Sequence, residues 1–293
     1  MIRSFLFAPG NVPKLVPKVA SFGADAIVLD LEDAVPLAEK KAARNMVRMA
    51  LSQIEGPLRY VRVNGASTGL LEDDLSEIFC SDLEGVMIPK VETAEELIHV
   101  DSIISRLEYK HRITEGKIEI KPILETAKGV LRSYEILERS PKRVRRAGLG
   151  GGDLMREIGT RFGQKMLETD GLELQYARSH IVLASKAAGR EPPIDTVYIN
   201  IQDLKGLEQE AQLARRLGFQ GKVAIYPTQV EVINRVFTPS VEEISYARKV
   251  ITAFEEAEAK GSAAFIVNGS FADIAFVEKA RSIIKEFESL KKS

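Results

Sequence analysis

Glu125 closes one apolar run and Asp153 another, about one strand–helix unit later, in LETAKGV and GLGGGDL. Two hard carboxylates at neighbouring strand ends are ligands of the kind Mg²⁺ takes. That ion uses one or two protein carboxylates and leaves its other positions to water and substrate oxygens. A substrate chelating through an oxo or hydroxy acid would complete the site. The competing reading makes both acids helix N-terminal charges that complement the macrodipole. Asp30, Glu32 and Asp33 in LDLEDAVP form a second acid group at another strand end. Alternation turns Asp30 and Glu32 to one side and Asp33 to the other. Carboxylates this close repel one another unless a cation relieves them, although an N-cap followed by a solvated turn would use the same letters. Arg62 in VRVN offers such a cation, with a planar fork able to grip a carboxylate through two parallel hydrogen bonds.

Lys90, in IPK, suits either a Schiff-base lysine or an ordinary ion pair. Pro9-Gly10 and Gly150 to Gly152 let backbone approach a ligand, though glycine turns are common. None of His99, His111 and His180 falls at an expected strand end, so a histidine-centred zinc site or hydrolytic triad has no support. The basic cluster Lys142, Arg143, Arg145 and Arg146 precedes a strand, on the side opposite the acids, and reads as a solvated face.

The acids are carried by short aliphatic and β-branched runs that alternate with segments of helical spacing: SFLFAP, AIVLDLED, RYVRVN, GVMIPK, IEIKPILET, VRRAGLGG, TVYINI and KVAIYP. Near-continuous apolar runs are what parallel strands buried on both faces require. A (β/α)₈ barrel is therefore preferred to a doubly wound open sheet, and its chemistry belongs at the C-terminal ends of the strands. The fifth run is the least regular, because Lys117, Glu119 and Lys121 alternate with its apolar residues. Helices are expected over Leu37 to Leu51, Ala94 to Leu107 and Leu204 to Leu217, the last capped by Gly218. The barrel should occupy residues 1–238. Residues 239–293 form a C-terminal helical extension, with helices from Val241 to Lys260 and from Ile274 onward, too small to stand as a domain.

A formal net charge of −1 gives no field to attract nucleic acid or an anionic membrane, so small molecules and copies of itself are the expected partners. Cys80 is the single cysteine, which excludes an intrachain disulfide and fits a reducing compartment. Pro9-Gly10 stops the N-terminal apolar run too early for a signal segment, and no later run is long enough to span a membrane. The chain reads as soluble and cytoplasmic.

Taken in order, RSFLFAPGN, ADAIVLDLEDAVP, VRVN, IPKVE, LETAKGV, LGGGDL, GFQGKVAIYPTQ and GSFADIAFVEKA resemble the HpcH/HpaI aldolase and citrate lyase beta-subunit superfamily, within it the CitE-like, malyl-CoA and citramalyl-CoA lyase branch. The resemblance runs from Arg3 to about Ala280. It implies a Mg²⁺-dependent barrel enzyme, with Mn²⁺ as an alternative ion, that makes or breaks a carbon–carbon bond in a CoA thioester and assembles as a homotrimer or dimer of trimers. Glu125 and Asp153 match the family's metal ligands, and Glu32 and Asp33 match acids that hold metal-bound waters. Arg62 matches the arginine on the oxo acid, with Glu125 also a substrate-binding position. Arg3 and Lys18 match positions associated with the site mouth and CoA. Asp273 matches a catalytic aspartate placed in a neighbouring subunit's site, so the extension is expected to cover that site. Two departures stand out: Tyr226 in IYPTQ replaces a histidine, and Ala275 in GSFADIAF replaces a proline.

The resemblance further implies cleavage of a malyl-CoA- or citramalyl-CoA-type 3-hydroxyacyl-CoA to acetyl-CoA or propionyl-CoA plus glyoxylate, pyruvate or oxaloacetate. A malyl-CoA-type thioesterase, a beta subunit of a citrate lyase complex and a non-catalytic acyl-binding component are the alternatives.

Overall fold

The computed structural model describes residues 1–12, 16–160, 171–259, 261 and 264–290. Residues 2–235 form one compact unit, and residues from 236 onward, with Met1, form another. In the first, eight parallel strands close in sequence order into a barrel: β1 (Ser4–Pro9), β2 (Ala26–Asp30), β3 (Leu58–Arg62), β4 (Gly85–Ile88), β5 (Glu119–Leu124), β6 (Gly148–Leu149), β7 (Ile194–Asp195) and β8 (Gly221–Ala224). Helices α1 (Val16–Val19), α2 (Lys40–Leu51), α3 (Leu71–Ile78) and α4 (Ala94–His111) follow the first four strands. Then α5 (Ala127–Leu131) and α6 (Ser133–Arg139) follow β5, and α7 (Gly151–Glu157) and α8 (Gln175–Ala187) follow β6. The last two, α9 (Leu204–Leu217) and α10 (Pro227–Phe237), follow β7 and β8. The (β/α)₈ barrel is thus the fold, with helices C-terminal to it. No helix among the described residues is long and apolar enough to cross a membrane.

The seventh strand departs from expectation. It comprises Ile194–Asp195, immediately before TVYINI rather than within it. The residues that follow leave the sheet for side-chain partners: the Thr196 hydroxyl accepts the Gly151 N–H at 2.8 Å, the Gln229 amide donates to the Tyr198 carbonyl at 2.7 Å, and the Tyr198 hydroxyl donates to Asp203 at 2.8 Å. Asp195 is fixed outside the barrel's interior by a buried quartet, with Arg178 of α8 at 2.9 Å and Lys222 of β8 at 2.7 Å, both cations also meeting Glu210 of α9. Two cations and two anions balance there, so their mutual attraction and hydrogen bonds offset the desolvation cost of burying them.

The basic cluster is corrected in part. Lys142 and Arg145 are exposed, but Arg143 and Arg146 are buried. Arg143 is bound by Asp101 and by both oxygens of Glu108, and Arg146 by Glu119 at 3.2 Å and Glu191 at 2.5 Å. These pairs join α4 and the stretch after α6 to the lower barrel, a role that distant acids decide and local charge density does not show.

The charged alternation of the fifth run has a physical explanation in the barrel interior. Ile123 of β5 packs with Phe5, Val28, Tyr60 and Met87, so Glu119 and Lys121, at the same parity, share its inward column. Glu119 accepts the Tyr60 hydroxyl at 2.8 Å. Lys121 is fully buried, with Nζ 3.3 Å from the centre of the Phe5 ring and 4.5 Å from that of Tyr60, and among the described residues it finds no hydrogen-bond partner. Burial pushes its pKa well below the ordinary lysine range, the charge of Glu119 opposing only in part. Below the ordinary lysine pKa the unfolded chain therefore binds a proton that the fold excludes. The stability of the wild type therefore rises with pH through this group until the ordinary lysine pKa is reached. Lys121→Met, which fills the same aromatic box without an ionisable group, is expected to be more stable than wild type at pH 7, by a margin that shrinks at pH 9. Urea midpoints at the two pH values check this. A pH-independent margin would mean that Lys121 stays charged inside the barrel.

The C-terminal unit comprises α11 (Val241–Glu258), a hairpin of β9 (Phe265–Val267) and β10 (Ser270–Ala272), and α12 (Ile274–Leu290). Ser240 starts α11 with a reciprocal capping box through Glu243. Asn268 and Gly269, with φ of 49° and 79°, make the tight turn that an antiparallel hairpin favours. Phe265 and Val267 face Val250, Phe254, Val277 and Ala280 in a small core, which leaves Ile266 and its cross-strand partner Phe271 exposed on the other side.

Candidate active site

The strand register brings Pro9, Asp30 and Arg62 level at the C-terminal ends of β1 to β3. Asp30 tops the inward column that begins with Ala26 and Val28, and Arg62 tops the column of Tyr60. Glu125 continues the inward column of β5 one residue beyond the strand. Alternation along buried parallel strands thus delivers the charged side chains to one rim.

Arg62 sits over the Phe7 ring at 5.2 Å and makes a two-bond fork onto Asp30, Nε to Oδ1 at 2.7 Å and Nη2 to Oδ2 at 2.7 Å. Its remaining nitrogen, Nη1, reaches Glu32 at 2.9 Å and Asp33 at 3.9 Å. Asp30 also accepts the main-chain N–H groups of Glu32 at 3.0 Å and Ala34 at 3.1 Å, and so folds the loop that carries Glu32 and Asp33. Lys90 directs its ammonium at Glu32, with Asp153 at 3.6 Å and Asp33 at 3.9 Å. Its main-chain N–H donates to Glu125 Oε1 at 2.9 Å. Asp153 lies in the first turn of α7 and pairs with Arg156 as well. Glu32, Asp33, Arg62, Glu125 and Asp153 are therefore brought together, with Lys90 among them as an ion-pair partner, the second of its two expected readings.

The cluster carries more carboxylate than its cations neutralise. Burial, then the charges of Glu32 and Asp153, push the Glu125 carboxyl up to about 8, with Lys90 and Arg62 opposing. Burial raises Glu32 as well, against the pull of Arg62 and the Lys90 bond. Burial disfavours the Arg62 charge, but Asp30 and then Glu32 more than offset it and hold the guanidinium above the ordinary arginine range. A group of acids that keeps one proton near neutrality is what a divalent cation would relieve. Among the described residues no three ligating side chains converge as a protein-only cage, and two carboxylates on one rim are the pattern Mg²⁺ takes. Glu125 and Asp153 fit that ion. The first glycine of the run between them is required: a β-carbon at Gly150 would run into the Glu125 carboxylate.

Other expected site residues lie elsewhere. Arg3 precedes β1 and is held at the opposite, N-terminal end of the barrel by Asp25, through its main-chain N–H at 2.6 Å and its fork at 2.9 and 2.7 Å. The expectation that Arg3 stands at the site mouth is corrected accordingly; the pairing ties the start of β1 to the start of β2. Lys18 is exposed in the single-turn α1. Asp273 belongs to the C-terminal unit, where its exposed carboxylate accepts the Ala275 N–H at 3.0 Å at the start of α12. Tyr226 follows β8, half exposed, its main-chain N–H held at 3.2 Å by the Gln229 amide oxygen.

Beside the acids opens a cavity of about 1000 Å³, lined by Glu32, Asp33, Asn64, Thr68 and Lys90 and reaching Thr126. Sequence reasoning missed Asp30 as the holder of Arg62, and it missed Phe7 altogether. The alternation of β1, which sets Phe5 and Phe7 on one face, was the signal available for the latter.

The sequence model of the HpcH/HpaI aldolase/citrate lyase family matches residues 3–227. The chain is 37% identical to the citrate lyase subunit beta of Leuconostoc mesenteroides subsp. cremoris, over 97% of this chain and 92% of that protein. It is 34% identical to the mitochondrial citramalyl-CoA lyase of Homo sapiens, over 99% of this chain and 86% of that one. Among solved structures, CitE from Mycobacterium tuberculosis in complex with magnesium, acetoacetate and coenzyme A superposes with a TM-score of 0.79 at 28% identity, covering 98% of each chain. With its closed barrel, its rim of acids around Arg62 and these similarities over nearly its whole length, the chain is an enzyme of the HpcH/HpaI aldolase/citrate lyase family, a family of lyases.

Proposed function

We propose that the chain is a Mg²⁺-dependent lyase that cleaves a carbon–carbon bond in a 3-hydroxyacyl-CoA thioester of the citramalyl-CoA or malyl-CoA type, giving acetyl-CoA or propionyl-CoA and a small oxo acid. The observation that carries this reading is the meeting of Glu125 and Asp153 with the Arg62 guanidinium on one rim. Relatives named for citrate lyase and citramalyl-CoA lyase, and a structural neighbour holding magnesium, an oxo acid and coenzyme A, support it.

Glu125 and Asp153 would hold the ion, and bound Mg²⁺ supplies Lewis-acid polarisation of a chelated oxygen. Asp30 holds two of the guanidinium's nitrogens in place, so that Nη1 of Arg62, which Glu32 shares at 2.9 Å, would be the one to meet the oxo-acid oxygen as charge develops there. Glu32 and Asp33 border that nitrogen and would accept hydrogen bonds from water at the ion. As the hydroxyl passes its proton to the Glu32 carboxylate beside it and the carbon–carbon bond breaks, the oxo acid forms its carbonyl and the thioester half departs as an enolate. Asp273, supplied by a neighbouring subunit, protonates that enolate at carbon; in the reverse direction the same residue, ionised, takes the α-proton.

The test is a substrate panel. Purified protein with Mg²⁺ is given citramalyl-CoA and malyl-CoA, and oxo acid and free CoA thiol are measured separately. Oxo acid released without free thiol is expected. Thiol without oxo acid would make the activity a thioesterase, and no turnover of either free thioester would point to a subunit acting within an acyl-carrier complex.

A further inference from the structure

Lys90 has two connections to the acid cluster, and they differ in kind. Its main chain holds Glu125 Oε1 at 2.9 Å, in a left-handed conformation with φ of 54°. That conformation is costly for any residue with a side chain. Its side chain meanwhile places a positive charge on Glu32, 3.6 Å from Asp153 Oδ2 and 3.9 Å from Asp33. A divalent ion held by Asp153 would share that carboxylate with the ammonium, and two cations on one carboxylate repel. The ammonium has somewhere to go: the Lys90 side chain is 37% exposed and lines the cavity beside Asn64 and Thr68. Arg62 has no such freedom, since Asp30 holds it by two bonds and its side chain is only 14% exposed.

We propose that Lys90 is a tethered counter-ion of this site, which screens Glu32 and Asp153 from each other before the divalent ion arrives and competes with that ion for them. It thereby sets the metal affinity and couples it to substrate. When a chelating anion enters the cavity, the ammonium exchanges its carboxylate partners for the substrate's negative charge, and the penalty on metal binding is lifted. Lys90 is on this account a positioning residue acting through the electrostatics of the acids. The inference rests on the reading of Glu125 and Asp153 as metal ligands.

Direct titration of Mg²⁺ by calorimetry, and of Mn²⁺ by electron paramagnetic resonance, tests it without turnover. Lys90→Met keeps the stem and the main-chain N–H while removing the charge, and Lys90→Gln serves as a second neutral variant. Without substrate, both are expected to bind either ion at least about tenfold more tightly than wild type. Addition of pyruvate should then tighten metal binding in wild type by a larger factor than in the variants. Lys90→Arg, which keeps a cation, should stay near wild-type affinity. In EDTA, Lys90→Met should melt below wild type and recover on Mg²⁺ addition. Equal or weaker metal affinity in both neutral variants overturns the competition. If wild type and variants alike bind neither ion, the metal reading falls and this inference with it.

Discussion

Glu125→Gln is expected to lower Mg²⁺-dependent cleavage by at least about 10³-fold and to remove the calorimetric signal of Mg²⁺ binding, while the barrel stays folded. The amide is isosteric, and its oxygen can still accept the Lys90 main-chain N–H, so the loop after β4 keeps its anchor. What disappears is the ability to ionise for the metal; without the ion, burial and then the charges of Glu32 and Asp153 already push the carboxyl up to about 8. The neutral amide replaces a carboxyl that is already largely protonated near neutrality without the ion, so the variant should melt no lower than wild type in EDTA. Loss of activity and gain or retention of metal-free stability together separate a ligand from a structural acid. Melting measurements and a Mg²⁺ titration on the same preparation check both. A variant that still binds Mg²⁺ and turns over within about tenfold of wild type would remove Glu125 from the metal site.

The contrast between what could and could not be read from sequence follows the range of the interactions. Strands buried on both faces must be apolar wherever they lie, so β1 to β4 and β8 announce themselves, and carboxylates that end such runs, like Glu125, are locally conspicuous. The helix over Leu204–Leu217 is fixed by Asp203, which caps the Gly206 N–H, and by Gly218 in the left-handed region, both local signals. Strand β7 was misplaced because its extent depends on Arg178, Glu210 and Lys222, residues drawn from two helices and another strand. Arg3 matched a site position by its place in a motif, yet the N-terminal start of β1 and the presence of Asp25 put it at the other end of the barrel. Lys121, alternating with apolar residues, made the fifth run the least regular. Only the closed barrel shows that its column points inward, toward Phe5 and Tyr60. At the candidate site, acids and arginine were individually legible. Their division of labour, with Asp30 holding Arg62 and Lys90 among the acids, required the register Asp30↔Arg62 and the turn after β4.

Asp273→Asn and Glu125→Gln, each inactive alone, are expected to restore up to about a quarter of wild-type activity when mixed in equal amounts under subunit exchange. The expectation follows from where Asp273 sits. Its carboxylate is exposed at the start of α12, and around it Ile266, Phe271, Ile274 and Phe276 are exposed as well, an apolar surface of a kind that marks a contact site. The proposed occupant is the rim of a neighbouring subunit's barrel, so that Asp273 supplies the proton to the enolate while the apolar residues exclude water from it. Asparagine can keep the hydrogen bond from the Ala275 N–H, so the unit should fold, and the loss, about 10² to 10⁴-fold, should lie in kcat rather than in KM. In an equal mixture half of the sites contain an intact Glu125. Half of those meet an intact Asp273 from the chain next to them, hence the quarter. Sites built within one chain would each retain a defect, and the mixture would stay at the level of its parents. Exchange followed by native mass spectrometry of isotope-labelled subunits establishes that mixing has occurred, and an inactive but fully exchanged mixture would return Asp273 to the chain's own site or remove it from the chemistry.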